Sequence, residues 1–214
     1  MFFVLVPAAI YYVSYYHYGA AKGLTGIGAF FTKEYAQIVL DNQSFMFTYH
    51  SGVTASHPYS SRWYQWVLGI RPILYYLDYG TDGTRQSFGA FVNPILCWAG
   101  LIALFVLGYE AVAKRDRRAA FILIGYLAQL LPWVFITRIT FEYHYFACTV
   151  FLILALGYVI ALMRQWNPRW RVYAVGMAVL CVAVFIMFYP ARSGMRVDNA
   201  AASRLLRWLP TWPF

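Results

Sequence analysis

Residues 143–163 read YHYFACTVFLILALGYVIALM. The run holds no Asp, Glu, Lys or Arg, and as a helix rising about 1.5 Å per residue it matches the roughly 30 Å hydrocarbon core of a bilayer. Four further apolar runs, Phe2–Tyr18, Phe88–Ala113, Ala119–Ile136 and Val172–Tyr189, approach the same length. The first is short, rich in tyrosine and interrupted by Pro7, which a membrane helix tolerates when neighbours satisfy the freed carbonyl. The pattern predicts an all-α polytopic membrane protein of about five transmembrane helices.

Composition agrees. Of 214 residues, 62% are hydrophobic and 12% charged, about half the charged share of an ordinary soluble domain, too few to cover a globular surface. That excludes a soluble domain, a disordered chain and a coiled coil. Met1-Phe2-Phe3 has no basic leader, and Tyr15-Tyr16-His17-Tyr18 is too bulky for a cleavage site, so a retained membrane helix is expected there. Cys97, Cys148 and Cys181 fall inside apolar runs without metal-ligand spacing and read as small buried hydrophobes. No metal and no cofactor is expected.

The net charge of +9 is concentrated where loops join apolar runs, in Lys114-Arg115-Asp116-Arg117-Arg118 and between Arg164 and Arg171. Basic residues so placed report orientation rather than nucleic acid, and the positive-inside rule assigns both loops to the cytoplasm. Gly19–Ser87, Thr137–Glu142 and Pro190–Phe214 are then expected on the outer face of the cell membrane. The chain divides into 1–87, a first span with an outer amphipathic helix and an aromatic loop, and 88–214, a region of four spans with an outer tail. Apolar residues at helical spacing between Thr32 and His50 predict the amphipathic helix, with Thr32 as its cap. Asp78 and Asp82 read as turn residues, and Glu110 and Lys114 as an i,i+4 pair.

Two outer segments carry chemistry. In His57-Pro58-Tyr59-Ser60-Ser61-Arg62-Trp63-Tyr64-Gln65-Trp66, continuing to Arg71-Pro72, a fixed turn precedes two tryptophans one helical turn apart. An interfacial aromatic belt accounts for the rings. It accounts less well for interleaved His57, Ser61, Arg62 and Arg71, whereas a phosphate-linked sugar needs bidentate cations and stacking planes. In Arg138-Ile139-Thr140-Phe141-Glu142-Tyr143-His144-Tyr145, charged groups lie at a membrane edge, where they are costly unless paired or functional. Arg138 suits a phosphate, Glu142 and His144 a positioning or titrating role, and a structural Arg–Glu pair is the alternative. A helix starting near Tyr143 would also turn its positive end toward an anion.

At these residues the sequence resembles the protein O-mannosyltransferases. The resemblance runs through His57-Pro58-Tyr59-Ser60-Ser61-Arg62-Trp63 to Arg71-Pro72, then Arg138-x-x-Phe141-x-Tyr143-His144-Tyr145. It closes on Phe188-Tyr189-Pro190, Ser193-Gly194 and Arg207-Trp208-Leu209-Pro210, as in bacterial members. Tyr64, Val67 and Ala147 depart from the usual pattern. It covers the family's C-terminal four-helix region with the preceding span and loop.

Such proteins are glycosyltransferases of the GT-C type, which move mannose from a polyprenyl- or dolichyl-phosphate carrier to Ser or Thr of exported proteins. The resemblance implies that Arg138 and His144 lie near the carrier phosphate, with His57, Arg62 and Trp63 lining the same cavity. Ser61, Trp66, Arg71, Glu142 and Tyr145 complete the expected substrate-binding set. The family's catalytic carboxylate lies in an N-terminal module, so this chain is expected to need that half as a partner and to be inactive alone. A catalytically empty lipid-binding or accessory subunit is the alternative. A transporter fits poorly, because the polar residues gather at one face and not at the midplane.

Overall fold

The computed structural model describes residues 2–214. The chain forms two compact units, Met1–Thr54 and Ala55–Phe214.

In the first unit, α1 (Phe2–Ser14) and α2 (Tyr16–Ala20) are separated at Tyr15, so the expected first span is not one continuous helix. At 13 residues, α1 reaches about 20 Å, short of a bilayer core. α3 (Lys33–Ser51) is the expected amphipathic helix, and Thr32 caps it by accepting the Tyr35 backbone N–H at 3.2 Å. Tyr35 is the centre of this unit: fully buried, it packs edge-on to Tyr12 and Phe30 and donates its hydroxyl to the Tyr12 carbonyl at 2.9 Å.

The second unit begins with α4 (Trp63–Val67) and then departs from an all-helical reading. β1 (Ile73–Tyr79) and β2 (Thr84–Ala90) form an antiparallel hairpin, pairing Ile73 with Ala90 and Tyr79 with Arg85, with a bulge at Tyr75. The residues assigned to the start of the second span therefore belong to a strand. The cause is legible afterwards: β-forming Ile73-Leu74-Tyr75-Tyr76 runs into Gly80-Thr81-Asp82-Gly83, which carries the Asp-Gly signal of a hairpin turn. Asp82 accepts the Thr84 hydroxyl and backbone N–H there, so its turn role holds.

Four helices follow: α5 (Pro94–Ala113), α6 (Arg117–Val134), α7 (Phe146–Trp166) and α8 (Arg171–Ser193). α5 starts where Asn93 accepts the Ile95 and Leu96 N–H groups and Pro94 takes the first helical position. α5, α7 and α8, the last two with their leading turns, are long and apolar enough to cross a membrane. α6 starts with Arg117 and Arg118, which lower its mean hydropathy below theirs. Beyond α8, β3 (Arg196–Asp198) pairs with β2, and α9 (Asn199–Leu205) leads to the C-terminal tail.

Small residues let the bundle close. A Cβ on Gly100 of α5 would stand 2.8 Å from Leu152 Cβ of α7, and one on Gly125 of α6 would stand 2.1 Å from the Phe151 ring. In lipid, where tails are as apolar as leucine, such close backbone approach is a main source of helix association. Cys97, Leu107, Cys148, Leu152 and Ala155 fill the α5–α7 seam, and both cysteines are free thiols. A second core joins Phe91, Phe188, Ala202, Leu206, Trp212 and Phe214, fastening the tail to β2 and α8. At the end of the bundle away from the sheet, Lys114 and Glu110 form the expected pair at 3.0 Å.

Candidate functional site

A turn and a hydrogen-bonded splice build the site. Pro58-Tyr59 turns the chain, with the Ser60 N–H bonded to the His57 carbonyl at 3.0 Å. His57 Nδ1 accepts the Tyr59 N–H at 3.2 Å, leaving Nε2 to carry the proton of the neutral ring. The next residue, Ser61, meets the segment before α7: its N–H donates to the Thr140 carbonyl at 2.9 Å, and the Thr140 hydroxyl donates to the Ser61 carbonyl at 2.7 Å. The Ser61 hydroxyl accepts the Trp66 indole N–H at 2.8 Å. Ser61 and Thr140 are both buried, so these bonds form away from competing water.

The splice brings the two expected segments to one cleft of ≈ 450 Å³. Arg62, Gln65 and Arg71 from one segment and Thr137, Arg138 and Ile139 from the other line it. Gln65 holds the Arg62 backbone N–H at 2.9 Å, which fixes the start of α4 while the guanidinium stays exposed. Arg71 donates from Nη2 to the Pro58 carbonyl, and its buried Nε has no partner. Arg138 donates only to the adjacent Ile139 carbonyl, at 3.4 Å. Three arginines thus share a cleft whose described lining includes no carboxylate. Their forked donors suit a phosphate.

The other expected site residues separate by depth. His57 stands beside the cleft, its ring edge-on to Phe141 at 5.2 Å. Trp66 and His144 lie beneath it: Trp66 is buried against Trp133 and His144, and His144 stacks on Trp133 at 4.2 Å. Tyr145 is deeper still, its hydroxyl 2.8 Å from that of Tyr126. Glu142 is fully buried and accepts the Val92 N–H at 3.3 Å, while its second oxygen has no partner. Glu142 makes no ion pair with Arg138; a four-residue 3₁₀ helix, Glu142–Tyr145, leads directly into α7 and directs it to Val92, just beyond β2, instead. α7 itself starts at Phe146, later than the sequence suggests.

Trp63 faces the opposite side of α4. With Val67, Leu104, Phe105, Leu127 and Leu130 it lines an apolar groove of ≈ 390 Å³ between α5 and α6. α4 is therefore a ridge with a cationic cleft on one side and an apolar groove on the other. The tail secures this ridge from outside the motif: Trp212 Nε1 donates to the Gly69 carbonyl at 2.9 Å, and the Thr211 hydroxyl bonds the Ile70 carbonyl. Sequence reasoning missed Gln65 and Thr140, which act through the backbone of residues it did single out, and it missed the tail contacts altogether.

Comparison with known proteins follows this geometry. A family model described as the C-terminal four TMM region of protein-O-mannosyltransferase matches residues 36–212. The polyprenol-phosphate-mannose–protein mannosyltransferase of Mycobacterium tuberculosis is 29% identical over 188 residues, covering 78% of this chain and 35% of that protein. Protein O-mannosyltransferase 1 of Drosophila pseudoobscura is 29% identical over 209 residues, covering 82% of this chain and 22% of its own length. Among solved structures, the S. cerevisiae protein O-mannosyltransferase Pmt1-Pmt2 complex bound to the sugar donor superposes with a TM-score of 0.70 at 18% identity, over 89% of this chain and 27% of that one. The chain thus spans about a third of the bacterial relative and less of the others. The match takes in the Arg62 and Arg138 segments and all four bundle helices, and it makes this multi-pass membrane chain a member of the protein O-mannosyltransferase family, carrying that family's C-terminal four-helix region.

Proposed function

We propose that this chain binds the lipid-phosphate sugar donor of a protein O-mannosyltransferase, with the cleft at the outer face of the cell membrane. The observation that carries the reading is the ridge of α4, with an arginine cleft on one side and an apolar groove on the other. A polyprenyl-phosphate sugar has the same two-part chemistry, an anionic head and an isoprenoid tail. Arg62, Arg71 and Arg138 hold the phosphate, and Trp63 with the α5–α6 groove receives the first isoprene units.

In the transfer, a Ser or Thr hydroxyl of an exported protein attacks the anomeric carbon of mannose. The bond from that carbon to the phosphate oxygen breaks, and the carrier leaves as its phosphate. Negative charge grows on that oxygen in the transition state, where preorganised guanidinium donors stabilise it most. A carboxylate must take the hydroxyl proton. The cleft supplies none among its lining residues, so that base comes from an N-terminal partner segment, and the 214-residue chain alone has no turnover. The same lack of a carboxylate also suits a carrier-binding accessory subunit. Turnover on adding an N-terminal half separates the two.

The test is binding of polyprenyl phosphate to the chain in detergent micelles. Arg138→Gln is expected to weaken it at least tenfold and His57→Ala less, while the uncharged polyprenol binds poorly to all three. Equal affinity of wild type and Arg138→Gln, or equal binding of phosphate and alcohol, overturns the reading.

A further inference from the structure

For half its length α8 stands away from the bundle. Its buried residues, Val184, Phe188 and Ala191, all lie in the part nearest the sheet, and between Arg171 and Ala183 no side chain is buried. This stretch, the matching half of α7 and the middle of α5 enclose an apolar cavity of ≈ 590 Å³, larger than the arginine cleft. Its walls are low where Ala99, Ala103 and Gly176 face it, and a Cβ on Gly176 would meet nothing within 4 Å.

Two properties define what fits. The first is length. Along α8 the cavity runs from Val172 to Leu180, about 12 Å at 1.5 Å per residue, less than half of a ~30 Å hydrocarbon core. A transmembrane helix needs a seam through both leaflets, and α8 closes this one by packing at Val184. An acyl chain of a single leaflet needs no more than is there.

The second property is charge. At one end the cavity is lined by Met163, Val172 and Tyr173, next in sequence to Arg164, Arg169 and Arg171, which are exposed and do not line it. The sequence holds no acidic residue between Glu142 and Asp198, and none of the three arginines makes an ion pair among the described residues. Lys114 and Arg118, at the same end of the bundle, are each paired with a carboxylate. Unpaired cations in the segment that adjoins one end of a one-leaflet apolar cavity match a phosphodiester head on an acyl tail. We infer that the α5–α7–α8 cavity is a binding site for an anionic phospholipid, in the leaflet opposite the arginine cleft, with its headgroup on Arg164, Arg169 and Arg171. The lipid wedges α8 against α5 and α7 where protein packing does not.

Native mass spectrometry of the 214-residue chain, titrated in neutral detergent with phosphatidylglycerol or phosphatidylcholine of identical acyl chains, tests this. Phosphatidylglycerol is expected to be retained at least tenfold better. The triple variant Arg164→Gln, Arg169→Gln, Arg171→Gln reduces it to the phosphatidylcholine level, and Gly176→Phe, which fills the cavity, lowers retention of both. Arg115→Gln with Arg117→Gln, at the other basic loop, leaves retention unchanged. Equal retention of the two lipids, or equal loss in the Arg115/Arg117 variant, overturns the inference. If the triple variant does not fold, Gly176→Phe decides: undiminished retention overturns it. So does protection of Gly176→Cys from a membrane-permeant maleimide in delipidated protein, which would show a helix in the cavity.

Discussion

Ser61 and Thr140, 79 residues apart in sequence, hold each other by two hydrogen bonds of 2.9 and 2.7 Å and so bring Arg62 and Arg138 to the lining of one cleft. Both residues also line that cleft, and their mutual bonds position the arginines beside them. Thr140→Val keeps the shape and deletes the hydroxyl donor, leaving the buried Ser61 carbonyl unpaired. Losing such a bond costs about 1–3 kcal/mol when the partner stays buried. Polyprenyl-phosphate affinity is expected to fall roughly 5- to 150-fold at that cost, and Thr140→Ser to recover most of it. Unchanged affinity in Thr140→Val removes the splice from the account of the site.

Of the glycines in the helix bundle, Gly125 has the least room for a side chain. A side chain there overlaps Phe151 at 2.1 Å, and Phe151 sits on the neighbouring helix. Gly125→Leu therefore forces α6 from α7. Overpacking of this kind typically costs about 1–3 kcal/mol. The variant is expected to lower the thermal midpoint in detergent. Gly157→Ala on α7, where a Cβ meets nothing within 4 Å, is expected to keep or raise it.

Glu142 holds the segment before α7 against the end of β2 by accepting the Val92 N–H. Arg192 of α8 lies over the ring of adjacent Phe91 at 4.1 Å. Glu142→Ala strands the Val92 N–H and is expected to cost about 1–3 kcal/mol in unfolding experiments. Glu142→Gln retains an acceptor and loses less. An equal loss in Gln and Ala would show that the carboxylate acts through its charge, not as an acceptor.

The hairpin tip is expected to weaken in acid. The Thr84 hydroxyl, then the Thr84 backbone N–H, hold the Asp82 carboxyl below its usual range. A carboxylate lowered on folding stabilises the fold above its unfolded titration range, and that contribution disappears as pH falls through its folded value. Hydrogen exchange at the Gly80 N–H, which is bonded to the Thr84 carbonyl at 2.8 Å, should quicken relative to the bundle amides below the ordinary carboxylate range. Asp82→Asn is expected to abolish the difference.

Much of the bundle was legible because its elements are local. Thr32 starts α3 by its own side chain, and Glu110 and Lys114 meet because they are four residues apart on one helix. The β-hairpin was hidden because most of it fell in the segment read as an outer loop and its last residues, Phe88–Ala90, in an apolar run, although Asp82-Gly83 marked its turn. The broken first span was hidden as well, since composition does not register the change of direction at Tyr15.

For the site, sequence by itself determined the residue types: arginines and aromatics in two short segments, with apolar runs between. Charge and hydropathy are carried by individual side chains and need no folding to be read. Which residues face a ligand was decided by the tertiary structure, because side-chain direction depends on pairings far apart in the chain. Arg62, Arg71 and Arg138 meet through Ser61 and Thr140, whereas Glu142 turns inward to Val92. Trp63 and Trp66, three residues apart, divide between an apolar groove and a buried platform because α4 is wedged between the bundle and the cleft.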